Sequence, residues 1–140
     1  VTSNDFVREF NLDVHRHHVW RGFPGSGKTT QMLEVQDYLH RSIPSEVISV
    51  ERIHDDLGIA YGEDDELVDV VQAERIKAAV KAGRIILCDD WNVSERMYKR
   101  LSERVGSHVV HDLRNVPVDV CIQRSPEKED LIRGLFRAFG

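Results

Sequence analysis

Little in this sequence points to a cross-linked, metal-stapled or membrane-embedded architecture. Only two cysteines occur, Cys88 and Cys121. Each lies in an apolar run, Ile85-Ile86-Leu87-Cys88 and Val118-Asp119-Val120-Cys121-Ile122, and neither has a Cys or His neighbour at metal-ligand spacing. Two buried free thiols are therefore expected, not a disulfide or a structural zinc site. The residues flanking His15, His17 and His18 place these histidines on a first strand, a better account of them than a metal set. No apolar run approaches the ~20 residues that cross a bilayer. The first eleven residues lack the basic-then-apolar layout of a secretory signal. A cytoplasmic protein with no membrane partner is expected. An excess of positive charge is missing too: the net charge is −5 and the isoelectric point about 5.8. That excludes a broad basic surface of the kind that coats nucleic acid, but not an enzyme that grips only a strand end through a few local Arg and Lys residues.

What is present is the material for one compact domain. With 140 residues, 41% hydrophobic and 31% charged, the chain can bury a real core but is too short for two, so residues 1–140 read as a single domain. No internal repeat or low-complexity segment interrupts it. Strand and helix signals alternate. A strand over His15–Arg21 runs into a glycine-rich loop, and a helix follows over Lys28–His40 with Met32, Leu33, Val35, Tyr38 and Leu39 on its apolar face. Glu46–Glu51 reads as a second strand and Asp55–Asp65 as an acidic loop or irregular helical piece. A long helix over Glu66–Ala82 turns Leu67, Val70, Val71, Ile76, Ala79 and Val80 inward and closes at Gly83. Arg84–Asp89 is the clearest buried strand. Ser94 then caps a helix carrying Met97, Leu101 and Val105 and ending at Gly106. A fourth strand over His108–Leu113 and short helices near Pro117–Gln123 and Asp130–Phe139 complete the chain. This alternation predicts an α/β protein, a parallel sheet of four or five strands with helices on both faces. Ligands of such sheets bind at the carboxyl ends of the strands.

Gly22-Phe23-Pro24-Gly25-Ser26-Gly27-Lys28-Thr29 matches the phosphate-binding pattern G-x-x-x-x-G-K-[ST] in full, between a predicted strand and a predicted helix as its mechanism requires. Its glycines let the backbone N–H groups curl toward phosphate oxygens, and the helix N-terminus adds a favourable partial charge. Lys28 is placed to bridge the β- and γ-phosphates of ATP or another nucleoside triphosphate, and the Thr29 hydroxyl to hold Mg²⁺. The strand ends beside this loop carry Glu51 and Asp89-Asp90. A phosphoryl-transfer enzyme needs a carboxylate to orient and deprotonate its acceptor hydroxyl, a contribution of roughly 10²–10⁴-fold. Asp55 and Asp56 are rival candidates for that base. Arg96, Arg100 and Arg104 recur every four residues and share a helical face. They read either as a track for phosphates or as a salt-bridged surface with Glu95 and Glu103.

From Val19 to Phe139 the sequence resembles the bacteriophage-type 5′-polynucleotide kinases, the kinase half of nucleic-acid end-healing enzymes. The resemblance rests on the loop Gly22 to Thr30, on Asp90-Trp91-Asn92-Val93-Ser94-Glu95-Arg96, and on Val116-Pro117 through Arg124 with the helix Asp130–Phe136 after it. It implies a P-loop kinase fold, ATP and Mg²⁺, and the 5′-hydroxyl ends of DNA or RNA as substrate. The family's segment after its second strand matches Ser49-Val50-Glu51-Arg52-Ile53-His54. Glu51 thus falls on the family's general base, an Asp, and His54 on an arginine that contacts the acceptor phosphate. Asp90 matches a functionally important Asp. Trp91 replaces a Thr, as an acceptor-stacking residue or as core, and Asn92 joins it on the substrate side. The family's longer arginine-bearing lid is reduced here to Ser125–Glu129, leaving Arg124 and Lys128 to clamp the transferring phosphoryl group. Two alternatives stay open: a P-loop kinase for another hydroxyl (a nucleoside, a small metabolite, a hydroxymethylated base in DNA), and a nucleotide-binding module with little catalysis.

Overall fold

The computed structural model describes residues 16–39, 43–60 and 63–140. The strands are β1 (His17–Arg21), β2 (Ser45–Val47), β3 (Ile85–Cys88) and β4 (His108–Asp112). The helices are α1 (Lys28–Leu39), α2 (Val50–Leu57), α3 (Asp65–Lys81), α4 (Glu95–Val105), α5 (Val118–Arg124) and α6 (Glu129–Phe139), with a 3₁₀ turn over Pro126–Lys128. The strands form one parallel sheet in the order β2-β3-β1-β4. β3 is buried at every position, and β1 at all but its first. Strands covered on both faces need apolar residues throughout, which is why Arg84–Asp89 is so legible in sequence. The ends predicted at His15 and His40 lie outside the described residues.

Helices cover both faces. On one, Met32, Val35 and Leu39 of α1 pack on Trp20, Ile85 and Leu87. On the other, Ile76 and Ala79 of α3 and Leu101 and Val105 of α4 pack on Val19, Ile86 and Cys88. A third cluster joins Phe23 and Val93 to Cys121 of α5 and Ile132 of α6. Both cysteines are buried and free.

Several predicted details are corrected. The second strand ends at Val47, not Glu51. Ser49 accepts a hydrogen bond from the Arg52 N–H at 3.1 Å and caps α2, so Glu51 stands in a helical first turn, and of the two readings of Asp55 and Asp56 the helical one holds, in a regular helix. Leu33, Tyr38, Leu67, Val70, Val80 and Met97 are exposed. The inward face of α3 is Val68, Gln72, Ile76 and Ala79. A polar residue in the middle of that stripe, with apolar ones outside it, shifts the phase a hydrophobicity pattern reports.

The same-face neighbours His18, Trp20 and His111 form a stack between β1 and β4. The His18 Nδ1 and His111 Nε2 atoms are 2.9 Å apart, and the Trp20 and His111 rings lie 4.4 Å centre to centre. Burial, reinforced by His18, pushes the His111 pKa from 6.5 down to about 3. A histidine held neutral in the fold leaves proton uptake to the unfolded chain. Its effect is therefore absent above about pH 6.5 and becomes a growing loss of stability as pH falls toward 3. One such group costs about 1–2 kcal/mol between pH 7 and 5. Denaturant titrations of wild type and His111→Gln isolate it from other titrating groups. The variant is expected to gain that amount relative to wild type on going from pH 7 to 5, and parallel curves would remove His111 from the account.

Candidate functional site

Parallel pairing places the carboxyl ends of β1, β2 and β3 along one edge, where a cleft of about 1120 Å³ opens. One end of it is the loop between β1 and α1. Gly25 and Gly27 take φ of +84° and +99°, a region where a side chain is strained. A Cβ on Gly25 would also run into the Cys121 carbonyl, so the loop lies directly against α5. Phe23 anchors it from below, stacked on Phe136 of α6 at 3.8 Å. The Ser26 N–H donates to the Phe23 carbonyl at 3.0 Å, and Arg124 at the end of α5 donates to the Gly25 and Ser26 carbonyls at 3.4 and 3.2 Å.

Lys28 opens α1. It is only 6% exposed, with Nζ 3.4 Å from the Phe23 carbonyl. Burial lowers its pKa; Asp89 and Asp90 pull it back up, and Lys128 adds to the lowering. The next residue, Thr29, donates its hydroxyl to Asp89 Oδ2 at 3.0 Å. A hydroxyl and a carboxylate side by side are hard oxygen donors, the type Mg²⁺ takes together with phosphate oxygens. Among the described residues no group of three or more His, Cys, Asp and Glu could hold a metal. A cation here would draw its remaining ligands from phosphate and water.

Asp90 faces the other way from Asp89. Its Oδ1 accepts the Val50 N–H at 2.8 Å, at the start of α2, and its Oδ2 lies 3.5 Å from the Gln72 amide nitrogen on α3. Burial raises its pKa to about 7; Asp89 and Glu51 push the same way, against the Val50 N–H and Lys28. Glu51, His54 and Asp55 of α2 line the cleft, with His54 buried. Asp56 does not: it pairs with Arg75 of α3 at 2.9 Å, which withdraws it as a candidate base.

The remaining expectations divide. Pro24, Thr30, Trp91, Arg124 and Lys128 line the cleft with the residues already placed there. Trp91 also packs in the third cluster, as the core role read for it requires. Gly22 and Ser26 sit behind the loop, buried, and are not among the lining residues. Asn92 is a correction. It is 4% exposed at φ +48°, and its amide donates to the Trp20 and Asp90 carbonyls at 3.0 and 3.2 Å, so it braces the strand ends and does not face the cleft. Of the arginine stripe, Arg104 makes a two-bond pair with Asp69 at 2.9 and 2.8 Å, and Arg100 reaches it at 3.4 Å. Glu95 binds Arg21 and Arg114. A salt-bridged surface is what the contacts of Arg100 and Arg104 support, but with Asp69 of α3 as the partner in place of Glu95 and Glu103. Sequence reasoning missed Asp89 as the partner of Thr29, although the Asp89-Asp90 pair was visible, and missed Gln72, which carries no motif. Gly25→Ala is expected to lose about 1–3 kcal/mol of stability in denaturant titrations. The loss should exceed that of Gly58→Ala, where φ is also positive but nothing stands within 4 Å; equal losses would refute the close approach to α5.

No family model matches the chain, and no curated protein does either. Among solved structures it is similar to the crystal structure of APE1195, with 22% identity and a TM-score of 0.55 over 88% of this chain and 75% of that one. A likeness of that degree carries the α/β fold alone, so what the cleft does has to be argued from its own residues.

Proposed function

We propose that this chain is a P-loop kinase that transfers the γ-phosphate of ATP, or of another nucleoside triphosphate, to the 5′-hydroxyl end of DNA or RNA. One observation carries the reading: Lys28 and the Thr29–Asp89 pair stand at the helix N-terminus of a glycine-bent loop, in the same cleft as Glu51 and Trp91. The choice of a 5′ end rests on the resemblance through Asp90–Arg96 and Val116–Arg124.

In this reading the loop N–H groups and Lys28 hold the triphosphate and neutralise charge where it grows, the main catalytic lever in phosphoryl transfer. Mg²⁺, for which Thr29 and Asp89 fit, supplies further charge neutralisation at the phosphate oxygens when bound. Glu51 takes the proton of the acceptor hydroxyl as its oxygen bonds to the γ-phosphorus. The bond from that phosphorus to the bridging oxygen breaks, and ADP leaves. Arg124 and Lys128 offset charge on the moving phosphoryl group. Trp91 offers a face to the terminal base, and His54 stands where the acceptor's own phosphate would approach. A smaller hydroxyl acceptor is the second reading, favoured by the acceptor side itself. Glu51, Asp55 and Asp65 line it, while Arg100 is engaged with Asp69, a balance that repels a polyanion.

ATP labelled at the γ-phosphate, offered with a 5′-hydroxyl oligonucleotide and its 5′-phosphorylated twin, should label the first alone. Label on neither would reject the 5′-end assignment. Lys28→Ala should reduce transfer by roughly 10²–10³-fold or more, and near-wild-type transfer would sink the donor site. Glu51→Gln should cost roughly 10²–10⁴-fold in kcat, far more than Asp55→Asn; the reverse order would move the base to Asp55.

A further inference from the structure

Gln72 is the polar residue in the buried stripe of α3, 9% exposed, and no step of the proposed chemistry uses it. Its amide is spanned by two partners of opposite kind. Arg104 of α4 donates to Oε1 at 2.9 Å, while Nε2 faces Asp90 Oδ2 at 3.5 Å. Arginine has only donors, so Arg104 turns Oε1 toward itself and leaves the Nε2 donor facing Asp90. Arg104 is itself locked by its two bonds to Asp69, one helical turn before Gln72. From that pair a chain of contacts runs through Gln72 to Asp90. It continues from the other Asp90 oxygen to the Val50 N–H, the first residue of the helix that carries Glu51, His54 and Asp55 into the cleft.

We propose that Gln72 is a positioning residue for the acceptor side: it orients the Asp90 carboxylate toward the Val50 N–H and so sets where α2 presents Glu51. The role needs an amide. A glutamate of the same length keeps Arg104 but sets a second carboxylate against Asp90, and a methionine keeps the volume but offers Asp90 no donor. A leucine or isoleucine would satisfy burial alone, so burial does not account for a glutamine at this point. None of these hydrogen bonds is made to Lys28, Thr29 or Asp89 at the donor end of the cleft.

The kinetic half of the inference rests on the kinase reading; its structural half does not. Gln72→Glu and Gln72→Met should each lower kcat/KM for the 5′-hydroxyl oligonucleotide roughly tenfold to hundredfold, with Mg·ATP affinity by calorimetry unchanged. Amide hydrogen exchange should quicken roughly tenfold at Val50–Ile53 in both variants, with no change in the loop of residues 22–29. Wild-type exchange at Val50 in both variants would overturn the proposal, as would equal losses of Mg·ATP and acceptor binding. If wild type itself transfers nothing to the oligonucleotide, the kinase reading fails, and the Val50 exchange still decides the role of Gln72.

Discussion

Three hydrogen bonds between the segments leaving β1 and β3 hold the cleft in register. The last paired residues of these strands are Val19 and Cys88, and beyond them nothing in the sheet keeps the chains together. The Asn92 amide then binds the Trp20 carbonyl at 3.0 Å, Arg21 Nε binds the Asn92 carbonyl at 2.9 Å, and the Gly22 N–H binds the Trp91 carbonyl at 2.8 Å. These bonds extend the pairing to the threshold of the glycine loop. The 3.0 Å meeting of Thr29 with Asp89 depends on that extension, because the two residues come from different strand ends. The joint also recruits α4. Arg21, 5% exposed, lays its guanidinium 4.1 Å from the centre of the Tyr98 ring and pairs with Glu95 at 2.9 Å. A buried arginine is tolerable only with its donors engaged in this way.

Around this joint charges of both signs line the cleft. Arg124 binds the glycine loop and Lys128 acts on Lys28, while Glu51, Asp55, Asp65, Asp69 and Arg100 line the rest. Asp89 and Asp90 stand close enough to Lys28 to counter the lowering of its pKa by burial. The two adjacent carboxylates have different partners. Asp89 spends its oxygen on Thr29, while Asp90 is pushed up to about 7 and is employed in holding α2. In the proposed phosphoryl-transfer reading, Asp89 is then the donor-side and Asp90 the acceptor-side carboxylate.

Much of the chain could be read from its sequence because the deciding interactions are local. Ser94 caps α4 through the Met97 N–H, and Gly106 ends it at φ +80°. Gly83, at φ +70°, follows α3 as expected. The helix α2 escaped because Val47-Ile48-Ser49-Val50 is rich in β-branched residues like a strand, and only the cap at Ser49 turns the chain. The helix faces escaped for a different reason. α1 and α3 each rest on a narrow stripe, and flanking apolar residues such as Leu33, Tyr38, Leu67 and Val70 are left outside it. Where a stripe points is decided by the sheet beneath it, not by composition.

By itself the sequence determined the alternation of strands and helices, the burial of β3 and the glycine loop with Lys28 and Thr29. Each of these follows from neighbours within a turn or a strand's length. Only the tertiary structure decided that Asp89 meets Thr29, that Asp56 turns away to Arg75 while Asp55 stays in the cleft, and that Asn92 braces the strands. It alone also set Gln72 between Arg104 and Asp90. Carboxylates and amides a residue or two apart look interchangeable in sequence. They acquire different work only when packing fixes which donor each one faces.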